Sequence, residues 1–142
     1  AENRVSNEGE GIVYLRAPSG CQLMDVSSEV DAFKQVALEL LPLIESALSD
    51  GASLLIHCQQ GRSRSCALVV AHLVLNLKMG LLEALTLVAA RRPEMEINEG
   101  YLQALIDLSS EPDITVEAVV SAHPRWVRCG GVARQHRERD DE

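Results

Sequence analysis

Apolar side chains recur every three or four residues over much of this chain, a spacing that predicts amphipathic helices. The first predicted helix starts at Ser28, where a serine cap precedes acidic residues, and stops at Asp50-Gly51. Pro42 lies inside it and is expected to kink or split it, because proline has no backbone N–H to donate. The apolar positions of this helix are Val30, Phe33, Ala37, Leu40, Leu41, Ile44 and Leu48.

Three more helices are predicted in the second half of the chain. Residues 65–77 are almost all apolar, which indicates a helix buried on all sides, and Lys78-Met79-Gly80 is expected to end it. Residues 81–92 show helical spacing and finish on two arginines before a proline, as expected at a helix C-terminus. Residues 99–108 repeat the same spacing and predict the third of these helices.

Two short apolar runs predict strands, namely Ile12–Leu15 and Leu54-Leu55-Ile56-His57. The second run leads into a glycine-containing loop and then into the helix at residues 65–77. This order predicts a buried strand and a tight loop that faces the N-terminus of a helix. The positive end of a helix dipole favours an anion at that place.

Composition limits the fold and the partners of the chain. Its 142 residues suffice for one domain with one core, which must consist mostly of Leu, Val, Ile and Ala because only one Trp, two Tyr and one Phe are present. The net charge of −8 argues against nucleic acid or an anionic membrane as a general partner. Neither a membrane-spanning apolar run nor a signal pattern is found. The four cysteines lack paired spacing, which favours a reducing compartment, cytoplasmic or nuclear.

The loop between Cys58 and Arg64 has a length that can surround one tetrahedral oxyanion with backbone N–H groups. A guanidinium at the end of the loop can bind two oxygens of that anion in bidentate fashion. The same positive surroundings would lower the pKa of the Cys58 thiol from its free value of about 8.5. A thiolate at the floor of an anion site predicts cleavage of a phosphate ester.

The segment His57-Cys58-Gln59-Gln60-Gly61-Arg62-Ser63-Arg64-Ser65 resembles the signature of the cysteine-dependent protein tyrosine phosphatases. Its Ser-Arg-Ser ending is similar to the dual-specificity branch, as is the downstream segment from Arg92 to Leu102. The resemblance implies an α/β fold with a small, mostly parallel sheet flanked by helices. The catalytic domain is expected at residues 12–110. The polar composition of residues 1–11 predicts a flexible N-terminus, and residues 111–142, with their charged end, are expected to form a partly flexible C-terminal extension.

The resemblance also assigns roles within the site. Cys58 would be the nucleophile that forms a phosphocysteine, Arg64 would stabilise the developing charge, and the Ser65 hydroxyl would steady the thiolate and help it leave. No metal or other cofactor is implied. Phosphate would be bound by the amides of Gln59, Gln60, Gly61, Arg62 and Ser63. His57 and Asn98 would support the loop; Ser65 and Asn98 are also suited to cap the helices that follow them.

The resemblance also implies a general acid, an aspartate on a loop ahead of the cysteine. Asp25 fits that position and is assigned as the acid that protonates the leaving oxygen. Asp31 is its rival, although an acidic residue in the first turn of a helix has an ordinary stabilising role.

Several alternatives stay open at this point. Phosphorylated protein is the expected partner, but a phosphoinositide, an RNA 5′-triphosphate or a phosphoglucan is a possible substrate as well. A second alternative function is that of a pseudophosphatase, which binds phosphorylated partners without turnover. Members of the family place two or more strands and a helix ahead of the segment that matches Tyr14. Therefore either the chain is trimmed or its sheet is unusually small.

Overall fold

The computed structural model describes residues 4–7, 12–15, 30–56 and 63–129, the first two ranges as backbone only. Among these residues the helices are α1 (Val30–Ser49), α2 (Arg64–Ala71), α3 (Leu81–Arg91), α4 (Glu99–Ser109) and α5 (Val116–Ala122). A π-helical turn, His72–Asn76, continues α2, and a 3₁₀ turn, Pro124–Trp126, follows α5. The strands are β1 (Arg4–Asn7), β2 (Ile12–Leu15), β3 (Ile97–Asn98) and β4 (Val127–Arg128).

The strands form two small sheets. β1 and β2 pair as an antiparallel hairpin, whereas β3 and β4 pair in parallel, with Ile97 opposite Val127 and Asn98 opposite Arg128. The prediction of an α/β chain with a small parallel sheet among helices is confirmed. β1 lies within residues 1–11, a segment for which no strand was predicted.

Helix α1 is continuous from Val30 to Ser49 and is not split at Pro42. Buried residues on both sides of the proline, Phe33 and Leu41 before it and Ile44 after it, belong to one core cluster. This shared packing offsets the cost of a proline inside a helix, about 3 kcal/mol. Gly51 ends the helix as predicted, with φ of 86° and hydrogen bonds from Gly51 N to Leu48 O and from Ala52 N to Ala47 O.

The core lies between α1, α2, α3 and α4. The ring of Tyr101 in α4 is fully buried and stacks on Phe33 of α1, with centroids 4.8 Å apart. On the surface, Lys34 Nζ lies 2.7 Å from Asp107 Oδ2, which links the same two helices. The hydrogen bond from Lys34 lowers the pKa of the Asp107 carboxyl. α1 and α4 are therefore joined by an aromatic stack inside and an ion pair outside.

The predicted helix at residues 65–77 changes its hydrogen-bonding pattern at His72. Asn76 Nδ2 donates to Leu41 O at 3.1 Å and lies 2.8 Å from Nδ1 of His72. This contact ties the π-helical turn to α1. Lys78, with φ of 62°, then breaks the helix as predicted.

The strand predicted at Leu54 to His57 is not formed over its described part. Residues 52–56 have no regular structure, and the Leu55 side chain is 84% exposed. Among the described strands none pairs with this segment, and an extended segment whose backbone groups find no partner gains little from being extended. This prediction was wrong for residues 54–56, and His57 lies outside the described ranges.

Candidate active site

The predicted site is only partly covered by the structure. His57, Cys58, Gln59, Gln60, Gly61, Arg62 and Asp25 lie outside the described residues, and their assigned roles stay predictions. Ser63, Arg64, Ser65, Asn98 and Asp31 are described. The described part of the site is therefore the end of the loop, from Ser63, and the elements that contact it.

Arg64 and Ser65 are the first two residues of α2, so the predicted loop ends at a helix N-terminus. The N-cap position belongs to Ser63 rather than to Ser65, and the Ser63 carbonyl accepts the first helical hydrogen bond from Ala67 N at 2.8 Å. Ser65 therefore does not cap the helix. Arg64 is half-buried, and Ser65 is buried. An anion next to Arg64 would face the positive end of the helix dipole.

The hydroxyl of Ser63 is directed away from its own helix. Its Oγ accepts a hydrogen bond from the backbone N–H of Asn98 at 3.1 Å, and it makes no side-chain cap bond to α2. Both residues are almost fully buried, Ser63 at 1% exposure and Asn98 at 0%. The residue directly before Arg64 is thus attached to the junction of β3 and α4.

Asn98 caps α4, as its sequence context predicted. Its Oδ1 accepts a hydrogen bond from Tyr101 N at 2.8 Å. Its backbone N–H is the group that reaches the loop, through Ser63. One residue therefore fixes both the start of α4 and the end of the predicted phosphate loop.

Sequence reasoning missed the role of the Ser63 hydroxyl, because the loop residues were expected to contribute mainly their amides. It also missed two buried ionisable side chains beside β3, Glu96 at 5% exposure and Arg128 at 3%. A serine in a loop and a charged residue in a C-terminal extension carry no local signal of burial. Glu96 lies two residues before Asn98 in the chain, but only the tertiary fold brings Ser63 and Arg128 to Asn98.

Asp31 lies in the first turn of α1 and is exposed. This position agrees with the ordinary stabilising role of an acidic residue at the start of a helix. Asp25, the residue assigned as the general acid, precedes α1 and lies outside the described ranges. The choice between the two aspartates therefore stays a prediction.

The described residues contain neither a candidate metal-binding group of side chains nor a candidate membrane-spanning helix. Within residues 30–56 and 63–129, His, Cys, Asp and Glu side chains do not form a group of three that could hold a metal ion. No helix in the described part of the chain has the length and apolar character needed to cross a bilayer.

The chain is similar to known phosphatases. The family model described as "Dual specificity phosphatase, catalytic domain" matches residues 7–111. The chain is 36% identical over 77 residues to dual specificity protein phosphatase 1 of Arabidopsis thaliana, a match that covers 54% of this chain and 39% of that protein. It is 40% identical over 68 residues to dual specificity protein phosphatase 14 of Mus musculus, covering 48% and 34%.

A third relative is dual specificity protein phosphatase PHS1 of Arabidopsis thaliana, 33% identical over 87 residues that make up 61% of this chain and 9% of that protein. The chain spans less than half of the length of each of these three relatives.

Proposed function

We propose, because this chain belongs to the dual-specificity phosphatase family, that it is a cysteine-dependent phosphatase which removes phosphate from tyrosine and from serine or threonine in proteins. The observation that carries the proposal is the position of Arg64 at the first residue of α2, directly after the buried and hydrogen-bonded Ser63. A guanidinium that extends from this anchored stretch of backbone is suited to bind two oxygens of a phosphoryl group.

In the first step the Cys58 thiolate attacks phosphorus, so that an S–P bond forms while the P–O bond to the substrate breaks. Asp25 gives its proton to the departing oxygen. Arg64 and the loop amides stabilise the charge on the phosphoryl oxygens as phosphorus becomes five-coordinate. The product of this step is a phosphocysteine and a free hydroxyl group on the protein substrate.

In the second step a water molecule attacks the phosphocysteine. The Asp25 carboxylate accepts a proton from the water, and the S–P bond breaks to release inorganic phosphate. The Ser65 hydroxyl donates a hydrogen bond to the departing thiolate, which lowers the energy of the leaving group. After this second step Cys58 is a thiolate and Asp25 carries a proton again, so the chain is ready for the next turnover.

The test is hydrolysis of a chromogenic aryl phosphate by wild type and by Cys58→Ser. Wild type should turn over, and Cys58→Ser should lose turnover while it still binds orthovanadate. An active Cys58→Ser protein would overturn the nucleophile assignment. Phosphate release from phosphotyrosyl and phosphoseryl peptides, compared with inositol lipids, RNA 5′-triphosphate and phosphoglucan, tests the substrate class.

A second candidate is binding of phosphorylated partners without turnover. It is favoured by the irregular structure of residues 52–56, because a nucleophile is positioned best on a rigid strand. A burst of phenolate without steady-state turnover would support this candidate. Steady turnover of the aryl phosphate would reject it.

A further inference from the structure

We propose that β4, at the C-terminal end of the described chain, is a positioning element for Ser63 and for Arg64, which follows it. β4 lies beyond residues 7–111, the part that matches the family model. The inference rests on the proposed phosphatase function for its kinetic readouts. Its structural readout is independent of that function.

The segment that leads to β4 is anchored in the fold. Thr115 caps α5, because its Oγ1 accepts a hydrogen bond from Ala118 N at 3.1 Å. Val119 of α5 is buried in the core at 2% exposure. The rings of His123 and Trp126 then stack with centroids 3.7 Å apart, and β4 follows directly. The approach to β4 is therefore held by a cap, a buried side chain and a ring stack.

β4 in turn is the described partner of β3. Val127 and Ile97 face each other in the parallel pair and are each 1% exposed. A segment as short as Ile97–Asn98 cannot hold an extended shape on its own, because a strand is stabilised by pairing and by burial. The position of β3 thus depends on β4.

β3 transmits this position to the loop. The Asn98 backbone N–H binds Ser63 Oγ, and the Ser63 carbonyl accepts the first helical bond of α2. Arg64 is the next residue in the chain. Movement of β3 would therefore move Ser63 and, with it, the backbone position from which the Arg64 side chain extends. A misplacement of about 1 Å can cost on the order of 10²-fold in rate.

The first experiment compares Val127→Ala with Val88→Ala in the full chain. Both remove two methyl groups from a buried valine, but Val88 lies in α3, outside the path from β4 to Ser63. Val127→Ala should lower kcat for an aryl phosphate and weaken orthovanadate binding on the order of tenfold, because Arg64 is displaced. Val88→Ala should lower the melting temperature, while kcat and the affinity for orthovanadate stay within about twofold of wild type.

The second experiment is a double-mutant cycle with Ser63→Ala. If β4 acts through Ser63, the kcat of the double variant should lie within about twofold of the lower single variant. Losses that multiply would overturn the proposal. So would unchanged vanadate affinity in Val127→Ala. If Val127→Ala does not fold, Val127→Thr keeps the shape of the side chain and replaces it in the same cycle.

Amide hydrogen exchange supplies the readout that needs no activity. Exchange of the amides at residues 63–66 should become faster in Val127→Ala and stay unchanged in Val88→Ala. Equal exchange in the two variants would overturn the positioning role even if the chain had no phosphatase activity. An active wild type with normal exchange in Val127→Ala would reject this inference and leave the proposed function in place.

Discussion

The hydroxyl of Ser63 accepts its 3.1 Å hydrogen bond from the backbone N–H of Asn98, so two residues that are far apart in sequence fix one corner of the candidate site. Ser63→Ala removes the acceptor and leaves the Asn98 N–H buried without it. The expected cost is about 1–3 kcal/mol of unfolding free energy. A fall in kcat on the order of tenfold should accompany it, because Arg64 loses its support.

The control for this prediction is Ser109→Ala. The Ser109 hydroxyl donates to Ile106 O at 2.8 Å within the last turn of α4. Urea unfolding should show a lower free energy of unfolding in both variants, whereas steady-state kinetics should show a lower kcat only in Ser63→Ala. Equal kcat values in Ser63→Ala and wild type would contradict the role given to the hydroxyl.

Arg64→Lys tests bidentate binding at the start of α2. Lysine keeps the positive charge but lacks the planar fork that binds two oxygens at once. We expect kcat to fall by about 10²–10³-fold, the range found when a group that stabilises developing charge is removed. The thermal melting point should change little, which separates a catalytic effect from unfolding. A variant with near wild-type kcat would show that charge alone is sufficient.

Asp25→Ala and Asp31→Ala separate the two candidates for the general acid. Asp25→Ala should slow hydrolysis of an alkyl phosphate more than that of an activated aryl phosphate, whose leaving group hardly needs a proton. Asp31→Ala should cost only about 0.3–1 kcal/mol of stability through the dipole of α1. Rates on both substrates, measured side by side, check this. The reverse pattern would move the assignment to Asp31.

His72 should make stability depend on pH. Burial lowers the pKa of its imidazole, and this effect outweighs the attraction of Glu45. The orientation of Asn76, fixed by its bond to Leu41 O, presents N–H to Nδ1 and therefore favours the neutral ring. Because the pKa in the folded state lies below the unfolded value of about 6.5, stability should fall as the pH drops below that value.

Urea unfolding of wild type and His72→Gln at pH 7.5 and 5.5 checks this prediction. The loss of stability between the two pH values should be smaller in His72→Gln, whose side chain does not ionise. The carboxyl of Asp107, with its lowered pKa, titrates below this range and does not interfere. An equal loss in the two proteins would contradict the role of His72.

Glu111 stabilises the start of α3 from outside that helix. Its Oε2 accepts a hydrogen bond from Leu81 N at 2.9 Å, so a carboxylate stands at the positive end of the helix. Glu111→Gln keeps an acceptor and loses the charge, with an expected cost of about 0.3–1 kcal/mol. Glu111→Ala loses both and should cost more. Melting temperatures of wild type and the two variants check this, and a Glu111→Gln protein that is as stable as wild type would contradict the charge contribution.

Elements that depend on local signals were predictable. Residues 81–92 and 99–108 were expected as helices and are found as Leu81–Arg91 and Glu99–Ser109. Gly51 ends α1, and Asn98 caps α4, because both signals act within a few residues of the chain. The position of Arg64 at a helix start follows from the same kind of local pattern.

Features that depend on distant partners were not predictable. β3 and β4 are two residues long each and exist through one another, so neither has a pattern of its own. Apolar content alone suggested a strand at residues 54–57, but pairing decides whether a strand forms. The change to a π-helix at His72 occurs in an almost uniformly apolar stretch, where periodicity gives no signal. The Ser63 contact likewise needs β3 in place.

The parallel pairing of Ile97 with Val127 has a consequence for biosynthesis. A ribosome adds Cys58, Arg64 and all of α4 to the chain before it adds Val127. Val127 is thus among the last of the described residues to leave the exit tunnel. On the positioning role proposed for β4, a nascent chain that stalls before Val127 would carry every residue of the signature but would lack the strand that pairs with β3 beside Ser63.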